Sequence, residues 1–102
     1  MPIEVTARHL NISETLQEHA RARAAELAAE FPKIEHVHVI LEVERHRYRA
    51  EYVVQHKGLA KVEASETTDD MVASIDRAAE HVEKQLRRHH EKVVDAHHHH
   101  RR

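Results

Sequence analysis

Between Ile34 and Ala64 apolar residues return at every second position, and this period confines the middle of the chain to half-buried β-strands. Val37, Val39, Leu41 and Val43 form one series, Ala50, Tyr52 and Val54 a second, and Ala60, Val62 and Ala64 a third. Arg45-His46-Arg47 and His56-Lys57-Gly58 separate them, and such short polar breaks suit hairpin turns. Gly58, the only glycine, is expected to take a positive φ in the second turn. Strands joined by turns this short run antiparallel to their neighbours. Each presents one apolar face, so the sheet needs a covering layer.

The flanking segments supply it. Ile3, Val5 and Ala7 alternate with Glu4, Thr6 and Arg8, which predicts a further strand over residues 2–8. Ser13 is the expected N-cap of a helix in which Leu16, Ala20, Ala24, Leu27 and Phe31 recur at helical spacing and which Pro32 ends. Thr67-Thr68-Asp69-Asp70 is expected to open a long second helix, with a threonine cap and acids in the first turn, running to about Val94. The order is β-α-β-β-β-α. It predicts an α+β two-layer sandwich, a four-stranded sheet with two helices on one face and the other face open. Residues 1–94 form one domain in this reading. Residues 95–102, with His97 to His100 and Arg101-Arg102, form a tail without periodicity that is expected to be disordered.

Composition narrows the function. The chain has 102 residues, 40% of them hydrophobic, with one Phe, two Tyr and no Trp, so its core must be built mostly from Ala, Val, Leu and Ile. The absence of cysteine excludes disulfides and thiol chemistry. Met1-Pro2-Ile3-Glu4-Val5 has neither a basic region nor an apolar run of the signal-peptide kind. No stretch approaches the roughly 20 apolar residues of a membrane span, so a soluble, cytosolic protein is expected. One glycine cannot build a Gly-rich phosphate loop, and no nucleophile motif or convincing carboxylate pair is present, so neither an enzyme nor a cofactor is expected. The net charge is −2, so any nucleic-acid binding requires positive charge gathered on one surface.

The second helix shows such a gathering. On a wheel of about 100° per residue with Ile75 at zero, Val82, Leu86 and Val93 fall within about 20° and mark the core stripe. Arg77, His81, Lys84, Arg88 and Lys92 fall between about 180° and 260°, while Asp76, Glu80, Glu83 and Glu91 fall between about 80° and 160°. From Arg77 to Lys92 the basic flank extends about 22 Å at 1.5 Å per residue. Two readings fit this flank. Basic residues near a helix C-terminus complement its dipole, and a ridge of this length can meet several phosphates of a folded RNA.

A second basic group, Arg45, Arg47 and Arg49, lies at and beside the first hairpin turn, with Lys57 and Lys61 nearby. Glu42, Glu44, Glu51 and Glu63 lie on or near the same sheet face, so cross-strand ion pairing competes with contact to phosphate or base edges. Arg8 and Arg23 read as isolated, Arg23 at the edge of an apolar stripe where it can snorkel. Thirteen histidines invite a metal reading, but no His/Cys ligand spacing supports a folded site. His36 and His38 share a strand face, and His97 to His100 are consecutive. A homodimer formed through the open sheet face and a histidine-rich metal-binding protein remain alternatives at this point.

Three blocks of sequence together resemble the ribosome hibernation promoting factor family, which includes the ribosome-associated inhibitor called protein Y. Asn11-Ile12-Ser13-Glu14-Thr15-Leu16 resembles the family's approach to its first helix. Asp70-Met71-Val72-Ala73-Ser74-Ile75-Asp76 resembles its D-M-aromatic-x-A-I-D pattern, and Lys84-Gln85-Leu86-Arg87-Arg88-His89 with Lys92 its basic second-helix end. The resemblance covers about residues 2–92. It implies the sandwich derived above, similar to double-stranded-RNA-binding domains, and binding to the 16S rRNA of the small ribosomal subunit and to the 70S ribosome in the channel of mRNA and tRNA. It further implies inhibition of translation and stabilisation of idle ribosomes in stress or stationary phase, in some bacteria with a second factor that pairs ribosomes. Lys84, Arg88 and Lys92 carry over as rRNA contacts, then Arg87 and Arg23, with Arg8, Arg45, Arg47, Arg49 and Arg77 as further candidates. Val72 departs from the usual aromatic, and Glu26 stands where the family often has Lys. Within these 102 residues nothing resembles the family's long-form C-terminal domain or the acidic tail of protein Y, so the resemblance implies the short form.

Overall fold

A computed structural model describes residues 2–8 and 12–99, with side chains described through His90. The elements are β1 (Ile3–Ala7), α1 (Glu14–Glu30), β2 (Ile34–Glu44), β3 (Arg47–His56), β4 (Lys61–Thr68) and α2 (Met71–His99). One four-stranded sheet has the order β1-β2-β3-β4. β1 runs parallel to β2, with Ile3 opposite Val37 and Ala7 opposite Leu41, because α1 carries the chain back over the sheet between them. The β2–β3 and β3–β4 pairs are antiparallel.

The alternation places the core as expected. Val37, Val39, Leu41, Ala50, Tyr52 and Val54 are fully buried, and Ala20, Ala24 and Leu27 of α1 with Ile75, Val82 and Leu86 of α2 close over them. Both helices therefore cover one sheet face. Several small or flanking residues join the core without having stood out in the pattern: Ile12, Met71, Ala78 and Ala79. Val43, Leu16 and Phe31 are only partly buried at its margin.

Ser13 caps α1 as expected, its side chain accepting from the Leu16 N–H at 3.3 Å. The start of α2 differs from expectation. Thr67 and Thr68 are the last residues of β4, and the cap is Asp70, whose carboxylate accepts from the Ala73 N–H at 3.0 Å. No acid stands in the first turn of α2. The fully buried Ser74 joins this corner to the sheet, donating to the Tyr48 carbonyl at 2.6 Å and accepting from the Thr68 N–H at 3.2 Å.

The turns also differ. Gly58 does not take a positive φ; Arg45 does, at 56°. Glu44 pairs directly with Arg47, so only Arg45 and His46 remain to reverse the chain, and a loop this short needs a left-handed residue. The β3–β4 connection is longer and is held instead by the His56 ring, which accepts from the Gly58 N–H at 3.1 Å. Ala60 consequently lies in this loop, outside β4. α2 continues to His99, past the expected end near Val94. Residues 95–99, expected in a disordered tail, instead continue the helix, while the side chains of residues 91–99 and all of residues 100–102 lie outside the described residues.

Candidate nucleic-acid interface

The two flanks of α2 have different surroundings. Its acidic flank faces α1. Asp76 Oδ1 receives His19 Nε2 at 2.8 Å and lies 3.3 Å from Arg23 Nε, while Arg23 also reaches Glu26 at 3.1 Å. Further along, Arg87 joins Glu30 of α1 at 2.5 Å and Glu83 of its own helix at 3.1 Å. The guanidinium holds the Glu30 carboxyl below the usual carboxylate range, while the hydrogen bond to Glu30, with burial, pushes Glu83 up. One arginine thus bridges two carboxylates and ties the end of α1 to α2.

The basic flank turns away from α1, toward the free edge of β4. His81 Nε2 lies 3.8 Å from Glu66, and Gln85 donates to the Glu63 carbonyl at 3.3 Å. Arg77, Lys84 and Arg88 are exposed, and among the described residues they form no ion pair. Lys92 continues the same flank in the wheel, but its side chain lies outside the described residues.

The remaining candidate cations divide. Arg49 lies across from Glu42 at 2.8 Å and near Glu51 at 3.5 Å, and Arg8 reaches Glu42 at 3.4 Å. Arg8 and Arg23 are therefore not isolated, as their sequence surroundings suggested; each meets a carboxylate brought from another element by the fold. Arg47 donates to the Thr67 carbonyl at 3.2 Å, and Arg45 projects from the turn, exposed. The open sheet face carries these pairs together with His36 on Glu4 and His38 on Thr6, each at 2.8 Å, around the partly buried Ile40 and Val53. Among the described residues no group of three or more His, Asp or Glu is placed to hold a metal ion, and no helix is long and apolar enough to cross a membrane.

The His19–Asp76–Arg23 link and the Arg87 bridge escaped the sequence pattern. Their partners are 57 residues apart for both His19–Asp76 and Glu30–Arg87, and no local period marks such pairs.

Residues 3–94 match the model of the family described as sigma 54 modulation protein / S30EA ribosomal protein. The chain belongs to that family. It is 30% identical over 89 residues to the ribosome hibernation promoting factor of Pseudomonas putida, covering 87% of this chain and 86% of that protein. The Escherichia coli ribosome hibernation promoting factor is also 30% identical over 89 residues, covering 87% and 93%. Among solved structures, the N-terminal domain of Thermus thermophilus protein Y superposes with a TM-score of 0.74 at 28% identity, covering 86% of this chain and 98% of that one. A ribosomal subunit interface protein from Coxiella burnetii shares the fold, with a TM-score of 0.75 at 21% identity over 89% and 99% of the two chains.

Proposed function

We propose that this protein is a non-enzymatic ribosome hibernation factor of the bacterial cytoplasm. It docks on the 16S rRNA of the small ribosomal subunit through the outer flank of α2, on 30S particles and 70S ribosomes alike. There it occupies the mRNA and tRNA channel, blocks translation, and preserves idle ribosomes under stress or in stationary phase. One observation carries the reading: on a chain of net charge −2, Arg77, Lys84 and Arg88 remain exposed and free of carboxylates among the described residues. Counterion release on contact with phosphates favours such clustered, unpaired cations. The names and coverage of the relatives agree with it.

Exposure and pairing rank the candidates. Arg77, Lys84 and Arg88 lead, with Lys92 by its position on the same flank. Arg45 and Arg47 at the hairpin tip form a second contact. Arg8, Arg23, Arg49 and Arg87 hold elements together, and their removal acts first on the fold.

Co-sedimentation with 30S and 70S particles tests the proposal. Lys84→Glu with Arg88→Glu should lower ribosome affinity on the order of 100-fold or more, because two reversals remove two phosphate partners and add repulsion. The melting temperature should hold, since both side chains are exposed. Retained co-sedimentation of the folded double variant overturns the proposal. Ribosomes preloaded with mRNA and initiator tRNA should resist inhibition; equal inhibition of preloaded ribosomes removes the channel from it.

A further inference from the structure

Beyond the ridge, α2 forms one wall of a groove of about 470 Å³. Leu86, His89 and His90 line that wall, Phe31, Pro32 and Lys33 after α1 line the other, and His56 at the end of β3 closes the base. The walls are tied together: Lys57 N–H donates to the Lys33 carbonyl at 3.0 Å, and the His56 and His89 rings meet edge to face with centroids 5.9 Å apart.

The chemistry of His56 is fixed by its neighbours. Its Nδ1 accepts from the Gly58 N–H, so the ring proton of the neutral form sits on Nε2. Burial, then His89 and Lys33, push its pKa down, which keeps it neutral near pH 7. Glu35 acts in the opposite direction and is the smallest of these influences. Lys33 is exposed and has no ion pair among the described residues. Glu30 also lines the groove, but Arg87 holds its carboxylate.

The groove therefore combines apolar side chains on both walls, Phe31 and Pro32 facing Leu86, with imidazole edges, a neutral N–H donor and a cation at the rim. A flat aromatic ring with acceptor atoms and an attached anion matches all four. From this geometry we infer that the groove takes one unpaired nucleotide of the RNA on which the ridge lies, its base between the apolar walls and its phosphate at Lys33. Exposed bases are commonly held by stacking on aromatic or imidazole rings while a nearby cation takes the phosphate. The groove opens on the α1 side of α2, across the helix from Arg88, so the RNA on the ridge reaches it by passing around the helix. This inference rests on the proposed rRNA docking.

The test uses the full-length ¹⁵N-labelled protein, followed by NMR at the Gly58 amide and the histidine rings. It is titrated separately with AMP, adenosine, inorganic phosphate and a single-stranded penta-adenylate. AMP and the oligonucleotide should give saturable shifts at Gly58, His56 and His89, with the oligonucleotide at least fivefold tighter. Lys33→Ala with His90→Ala, both exposed positions, should weaken oligonucleotide binding at least fivefold without lowering the melting temperature. No saturable shift with AMP or oligonucleotide overturns the inference. Equal response to phosphate alone overturns it as well, and AMP as tight as the oligonucleotide overturns the assignment to RNA. Ribosome binding separates the two readings. If the groove variant binds 30S particles normally while the Lys84/Arg88 reversal does not, the groove fails and the ridge stands. If AMP and the oligonucleotide bind as expected but the reversal leaves ribosome binding intact, the docking surface fails instead.

Discussion

Tyr52 shows how much a single side chain adds once the fold is formed. Its alternation placed it inward, and it is fully buried at the centre of β3. Its hydroxyl then needs a partner, and it donates to the Ala20 carbonyl of α1 at 2.8 Å. Burial pushes the phenol pKa well above its usual value, so the group stays a neutral donor. Tyr52→Phe should cost about 1 kcal/mol and lower the melting temperature by about 4–8 °C for a domain of this size; an unchanged melting temperature contradicts a structural role for that hydrogen bond. His56 gives a pH dependence. Its folded pKa is depressed, so below the ordinary histidine value of about 6.5 the unfolded chain binds more protons than the folded one at this site. The stability that neutral His56 contributes is present above that value and is lost as pH falls toward the lowered folded pKa. Between pH 8 and 5, His56→Gln should therefore lose less melting temperature than the native chain, and parallel curves refute the assignment.

At the scale of elements, period-2 alternation and helical spacing placed all six segments, because each buries one face against the same core. Their ends were less legible. Thr67 and Thr68 read as a cap because threonine is favoured there, but the β4 ladder pairs them with Arg49 and Tyr48, so sheet pairing decides and the cap passes to Asp70. Gly58 read as the left-handed residue because glycine adopts that conformation most readily, yet the shorter loop forced Arg45 into it. Asp70→Ala should destabilise the protein by about 1 kcal/mol, while Thr67→Ala, at an exposed position, should change little. Chemical denaturation of both variants checks the assignment, and the reverse order would restore the threonine cap. The wheel separated the flanks of α2 correctly, but it could not tell engaged cations from free ones. Arg87 and Arg88 are neighbours in sequence, but Arg87 meets Glu83 one turn back and Glu30 from α1, and the second of these partners comes from another element and leaves no local pattern.

At the scale of the molecule, shape and charge act together. A rounded domain of this length has a radius of gyration of about 13 Å. The observed value is 15.1 Å with extents of 56 × 25 × 19 Å, because the 29-residue α2 is about 43 Å long by its rise per residue. The elongation sets the basic flank along the long dimension, where an extended run of phosphates can lie beside it. The whole chain carries a net charge of −2, so long-range attraction to RNA is weak and affinity must come from local neutralisation. If Arg77, Lys84 and Arg88 with the hairpin-tip arginines neutralise about three to five phosphates, the logarithm of ribosome affinity should fall with the logarithm of salt at a slope of about −2 to −4. Raising salt from about 50 to 200 mM should then weaken binding by roughly ten- to several-hundred-fold. Neutralising two of the cations, Lys84→Gln with Arg88→Gln, should flatten the slope by about two, one for each phosphate no longer neutralised. Arg49→Gln breaks a cross-strand pair with Glu42 and should lower stability while leaving the slope unchanged. A slope near zero in the native protein, or the same slope in the α2 double variant, means that the ridge does not meet phosphate and that docking runs through another surface.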